Sequence, residues 1–201
     1  MAQHVDHEER RREIVEVARR LILSGGFRAA TMRSMAAEAG YAHSALKYYF
    51  PDGKSAIVGE AFEGLLAEVS PAARARLGGE GTKLRRYLRA WFPESAGETR
   101  NGRLFVSLWE EAMSHPALVD LYREHLESWR REVIERFEAA SAAGEIAHPG
   151  PYGGFADEYL SFMMGTLVTN LMYPEGEHLH DVDAYLDGLM TRLGERSQPP
   201  A

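Results

Sequence analysis

The sequence predicts an all-α protein in which a small N-terminal three-helix head precedes a larger helical body. Three observations carry this. Apolar residues recur at three- and four-residue spacing through every long segment. No run alternates in the period of two that a half-buried strand requires, and no internal repeat is present. The stretch from Thr31 to Lys54 reads as two short helices about a tight glycine turn, a helix-turn-helix.

Residues 1–7 read as a tail. The first helix is expected over Glu8 to Ser24, with Ile14, Val17, Ala18, Leu21 and Ile22 on one face and the arginines largely elsewhere. Gly25-Gly26 ends it, and Phe27 plugs the head. Thr31 can cap the next helix by accepting from a free backbone N–H. Met32, Met35, Ala36 and Ala39 then form one apolar stripe. Gly40 supplies the left-handed turn. The second hairpin helix, about Ala42 to Tyr49, buries Leu46 and Phe50 and turns His43, Ser44, Lys47 and Tyr48 outward. In a helix-turn-helix this second helix lies in the major groove. His43, Ser44 and Lys47 suit base edges. Thr31, Tyr48, Tyr49 and Lys54 suit phosphate oxygens, and Arg33 is a further candidate contact.

Arg11 to Ala61 resembles the DNA-binding domain of TetR-family (tetracycline-repressor-like) transcriptional regulators. The landmarks are R-R-E-I-V-E-V-A-R-R-L-I at Arg11 to Ile22, G-G-F at Gly25 to Phe27, Thr31, M-A-A-E-A-G at Met35 to Gly40, and A-L-K-Y-Y-F-P-D-G-K at Ala45 to Lys54. Three departures stand out. The family usually has a small hydroxyl residue where Ala42 stands and Tyr where Lys47 stands, and there is one extra residue between Phe50 and Lys54. The resemblance implies a head at 1–55 that binds double-stranded operator DNA. It also implies a body at 56–201 that binds a small effector and forms a homodimer through its C-terminal helices.

A joining helix is expected over Ser55 to Ser70 on Ile57, Ala61, Leu65 and Leu66. Gly78-Gly79-Glu80-Gly81 is a break. Helices follow at Thr82 to Phe92, at Arg103 to Ser114 after a loop from Pro93 to Gly102, and at Pro116 to Ala143. The last two are expected over Phe155 to Met172 and Asp181 to Gly194. Both are apolar over much of their circumference, so Leu167, Leu171, Tyr185, Leu189 and Met190 are expected on the dimer seam. Trp91, Phe105, Trp109, Met113, Trp129, Phe162, Met163, Thr166 and Asn170 lie on inward stripes. They form either plain core or an apolar effector pocket, with Thr166 and Asn170 as its polar anchors. A hydrophobic or aromatic small molecule is the expected effector, and a cation held by aromatic rings fits as well.

Charge sharpens this division. Residues 1–55 hold nine Lys/Arg against seven Asp/Glu, a balance of +2, whereas the rest carries −9 of the net −7. A DNA-facing head on an acidic body has that asymmetry. With no cysteine among 201 residues, disulfide and thiolate chemistry are excluded. No signal-type or membrane-spanning apolar run is present, so a cytoplasmic protein is expected. Enzyme readings find no footing. There is no G-x-S-x-G elbow, and Gly53-Lys54-Ser55 lacks the earlier glycine of a P-loop, Tyr48 standing there instead. The tract Glu175 to Asp181 carries ligand-type side chains but no H-E-x-x-H, and an exposed loop before a helix explains its acids. No metal or cofactor is expected. A helical homodimer that acts only through protein contacts, its head no longer reading DNA, is the remaining alternative.

Overall fold

A computed structural model describes residues 2–75, 82–93, 96–113, 116–174 and 177–194. The glycine break at 78–81, residues 114–115 and Glu175 lie outside them, as do the side chains of Leu65 and Leu66. The described residues form helices α1 (Ala2–Gly25), α2 (Met32–Ala39), α3 (His43–Tyr49), α4 (Lys54–Ala75), α5 (Lys83–Ala90), α6 (Ala96–Ala112), α7 (Pro116–Ala142), α8 (Gly153–Thr169) and α9 (Val182–Arg192). Short 3-10 turns occupy Phe27–Ala29 and Asn170–Met172. No strand occurs among the described residues.

Two elements differ from expectation. The presumed tail is the first turn and a half of α1, because neither Gly nor Pro interrupts the chain before Glu8. The loop expected to reach Gly102 is helical from Ala96. Gly97 and Gly102 each cost about 1 kcal/mol in a helix, and Gly102 is buried, so packing at the helix overrides propensity there.

The chain divides into two compact units. The first comprises residues 1–67 with 100–122. Its core sets Ile14, Val17, Ala18 and Ile22 of α1 with Met35, Leu46, Phe50, Ile57 and Phe62, all nearly or fully buried. Phe62 meets Phe105 edge-on at 5.4 Å, and Trp109 meets Tyr122 at 6.0 Å. Arg11 ties three elements together: its guanidinium donates to the Tyr49 carbonyl and to Glu60, and lies 4.2 Å from the Phe50 ring centre. Arg103 of α6 donates to the Leu23 carbonyl at 2.8 Å, satisfying an orphan acceptor at the end of α1. Ser55 donates to buried Glu111 at 3.3 Å.

The second unit comprises residues 68–99 with 123–201. Leu84, Leu88 and Phe92 of α5 pack with Val133 and Phe137 of α7, Tyr159 and Met163 of α8, and Leu186, Leu189, Met190 and Leu193 of α9. Two buried polar contacts fix the helix ends and register. Glu145 accepts from the Leu84 N–H at 3.1 Å, and the Tyr159 hydroxyl donates to the Leu88 carbonyl at 2.9 Å. Leu189 and Met190, expected on a dimer seam, are instead 0% and 1% exposed inside the chain's own core. An α9 stripe with helical period fits either role, and here the intrachain partners claim it.

Candidate nucleic-acid interface and effector pocket

The hairpin is built by local chemistry. Thr31 and Ser34 form a capping box: the Ser34 N–H donates to Thr31 Oγ1 at 3.0 Å and the Thr31 N–H to Ser34 Oγ at 2.8 Å. Gly40, with φ 74° and ψ 23°, ends α2 in the left-handed region, and the Tyr41 N–H closes the turn on the Ala36 carbonyl at 2.9 Å. Ala42 stands at the N-cap of α3 and offers no side-chain cap. Leu46 and Phe50, both 0% exposed, pin α3 to the core. His43, Ser44 and Lys47 face solvent with Tyr48, which is 71% exposed; Thr31 and Arg33 are also exposed.

Three aromatic side chains flank this face. Tyr49 is half-buried, its ring 5.3 Å from Tyr48 and 6.3 Å from Tyr41. His7 meets Tyr48 at 5.7 Å and Tyr49 at 5.0 Å. His7 is not among the expected contacts because the first helix was expected to start only at Glu8, whereas α1 begins at Ala2. Tyr41 is held by Arg10, which donates to its hydroxyl at 2.7 Å.

Lys54 departs from its expected place on phosphate. Its ammonium donates to the Phe27 carbonyl at 2.9 Å and sits over the Phe27 ring, and burial pushes its pKa down. It is a strut between the start of α4 and the 3-10 turn.

The residues expected to share one pocket are distributed over several places. Phe105 and Trp109 belong to the first unit, and Met113, expected inward, is 83% exposed there. In the second unit Trp91, Trp129 and Met163 join Tyr87, Tyr159 and Leu160 around a small aromatic cavity. Trp91 lies 6.1 Å from Trp129 and 6.2 Å from Tyr87. The Arg136 guanidinium lies over the Tyr87 ring at 4.8 Å. Burial first, and then neighbouring Glu132, raises the Tyr87 pKa, so its hydroxyl stays protonated. Phe162 stacks on Tyr185 at 3.7 Å instead of lining the cavity. Thr166 and Asn170 face a separate, polar cavity. Leu167, Leu171 and Tyr185 are half-buried.

His125 stands edge-on to Trp129 at 4.2 Å, and burial lowers its pKa to about 4. The folded protein therefore resists a proton that the unfolded chain accepts near 6.5. The neutral ring's contribution is complete above that value and is lost as pH falls toward 4. His125→Phe keeps the ring and removes the titration. Between pH 7 and 4 the variant is expected to lose about 1–2 kcal/mol less stability than wild type in denaturant melts, after discounting for partial solvent screening.

Among the described residues no helix is long and apolar enough to cross a membrane, and no group of three or more His, Asp or Glu side chains is placed to hold a metal ion.

A hairpin anchored through Met35, Leu46 and Phe50 that presents one polar helix face is a helix-turn-helix, the motif that DNA-binding proteins set in the major groove. Residues 14–61 match the family model of bacterial regulatory proteins of the tetR family, and residues 81–194 match the C-terminal model of BetI-type transcriptional repressors. The chain belongs to the TetR family of transcriptional regulators. A curated relative, the HTH-type transcriptional regulator PksA of Bacillus subtilis (strain 168), is 44% identical over 50 residues, which are 25% of this chain and 24% of PksA. Among solved structures, a transcriptional regulator of Saccharomonospora viridis in complex with choline superposes with a TM-score of 0.72 at 22% identity, covering 90% of this chain and 94% of the other. A TetR transcription regulator of Haloarcula marismortui ATCC 43049 gives 0.77 at 16% identity, covering 92% and 98%. Both structural likenesses speak to the fold.

Proposed function

We propose that the protein is a ligand-responsive repressor that binds a palindromic DNA operator as a homodimer and leaves it when a small molecule occupies the C-terminal body. The observation that carries this is the exposed row His43, Ser44 and Lys47 on a helix pinned from behind by Leu46 and Phe50. Those three read base edges in the major groove, while Thr31, Arg33, Tyr48 and Tyr49 hold phosphates. In this reading residues 1–55 bind DNA and 56–201 bind the effector and dimerise. One head buries too little for tight selective binding, so two heads on a twofold axis address two half-sites. The seam runs over the outer faces of α8 and α9, through Leu167, Leu171 and Tyr185, beside exposed Gly165, Ala184 and Gly188. Repression fits the BetI-type match.

The effector enters the cavity of Trp91, Trp129, Tyr159 and Met163. It is a small apolar molecule, and the ring faces with nearby Glu132 favour an alkylated ammonium. The choline held by the S. viridis regulator has that chemistry. Occupancy shifts α4 and with it the spacing of the two heads.

DNA flanking the coding region, cut into duplexes and tested by mobility shift across a salt series, tests the reading. A specific duplex with a steep salt dependence is expected. Lys47→Ala should weaken it by about 1–3 kcal/mol and relax specificity at one position. A loss that is uniform across sequences, with a shallower salt slope, moves Lys47 to phosphate. If no duplex is preferred, the protein is a helical interaction dimer that does not read DNA.

A further inference from the structure

Thr166 and Asn170 lie one turn apart near the end of α8, 1% and 6% exposed. Among the described residues neither Thr166 Oγ1 nor Asn170 Oδ1 has a hydrogen-bond partner. A buried polar group left this way has lost its water and gained nothing in return. Thr169 shows the ordinary remedy on the same helix, its hydroxyl donating back to the Gly165 carbonyl at 2.8 Å. Thr166 does not use it. Both side chains line a cavity of about 250 Å³, rimmed by Arg89, His178, His180 and Asp183. At ~30 Å³ per water that is room for roughly eight waters, or a polyol of about four to six carbons.

The charged side chains that line this cavity, Arg89, Asp181 and Asp183, are each already partnered. Arg85 meets Asp187 at 2.8 Å and Asp183 at 3.2 Å, and Arg89 meets Asp183 at 3.5 Å, so two cations face two carboxylates. Asp181 accepts from the Ala184 N–H at 2.9 Å at the start of α9, where the helix dipole favours its charge. No ionic guest is called for. The two orphan groups ask for hydrogen-bond donors and acceptors together. Asn170 Oδ1 needs a donor, and the Thr166 hydroxyl can give or take. The rim adds imidazoles that do both when neutral. A hydroxyl is the neutral group that donates and accepts at one atom. We propose that this cavity, between α5, α8 and the start of α9, binds a neutral polyhydroxylated small molecule through Thr166 and Asn170. The site is distinct from the aromatic cavity, and the proposal does not depend on what that cavity holds.

The test uses the full chain with erythritol, xylitol, D-glucose and myo-inositol, and with glycine, acetate and tetramethylammonium as charged comparisons. Thermal unfolding and ligand-observed NMR are read against concentration. At least one polyol is expected to raise the unfolding midpoint saturably, and Thr166→Val and Asn170→Leu are each expected to weaken it at least tenfold. Thr166→Val is nearly isosteric and carries the comparison if Asn170→Leu fails to fold. Trp129→Leu should leave polyol binding unchanged even if it alters the response to tetramethylammonium. A midpoint that climbs linearly with every polyol is osmolyte exclusion and overturns the proposal. So does saturable binding that survives both variants, saturable binding of charged compounds alone, or none at all.

Discussion

Leu189→Arg is expected to unfold the second unit instead of producing a folded monomer. Leu189 is 0% exposed and belongs to the cluster that joins α5, α7, α8 and α9. The substitution forfeits about 1.5–3 kcal/mol of side-chain burial. It also places a guanidinium in an apolar cluster that offers it no place in water, a further penalty of several kcal/mol. Against a total stability of roughly 5–15 kcal/mol, little native population survives. Circular dichroism should show lost cooperativity at room temperature. Leu171→Arg is the informative contrast. Leu171 is half-buried in the turn that follows α8, where a long cationic side chain can reach water. That variant should keep its helical signal and sediment as a monomer. A cooperatively folded Leu189→Arg protein would show that α9 turns this residue toward a partner.

The same pair shows what a sequence can and cannot resolve. The 3.6-residue period identifies an apolar stripe on α9, but it does not say whether a neighbouring helix or a second subunit covers it. In the head the signals are local and therefore readable. The Thr31 cap and the Gly40 turn each depend on residues a few positions apart, and the spacing of Leu46 and Phe50 marks one face of a short helix. Long-range pairings are not so encoded. Lys54 has the position of a phosphate ligand at a helix start, yet its ammonium ends on the carbonyl of Phe27, 27 residues earlier. Nothing in the order of residues announces that Trp91 and Trp129 share a cavity while Trp109 packs on Tyr122 in the other unit. Inward-facing aromatic stripes look alike until the helices are assembled. The orphan atoms of Thr166 and Asn170 are likewise a property of assembly, since hydroxyl and amide side chains on helices usually find partners.

Trp129→Leu is expected to abolish effector-driven release while leaving operator affinity intact. Trp91 and Trp129 lie 6.1 Å apart and largely fill the cavity they bound, so a guest must part them. An alkylated ammonium between indole faces gains about 0.5–2 kcal/mol per ring, and leucine offers volume without the quadrupole. The guest switches the protein only insofar as it binds the DNA-free arrangement better than the DNA-bound one. Half-sites one turn of B-DNA apart hold recognition helices at roughly 34–36 Å, and a change of a few ångströms denies one head its groove. Linkage makes this reciprocal: if tetramethylammonium weakens operator binding tenfold, saturating operator must weaken tetramethylammonium tenfold. Titrating tetramethylammonium with and without operator, and following tryptophan emission, measures both sides of the cycle. Wild type should show a fluorescence change and equal factors. Trp129→Leu should show neither the change nor the release, with its operator affinity within about twofold of wild type. If operator release by tetramethylammonium is the same in Trp129→Leu and wild type, the effector is held elsewhere, and the cluster of Phe105 and Trp109 in the first unit becomes the next place to substitute.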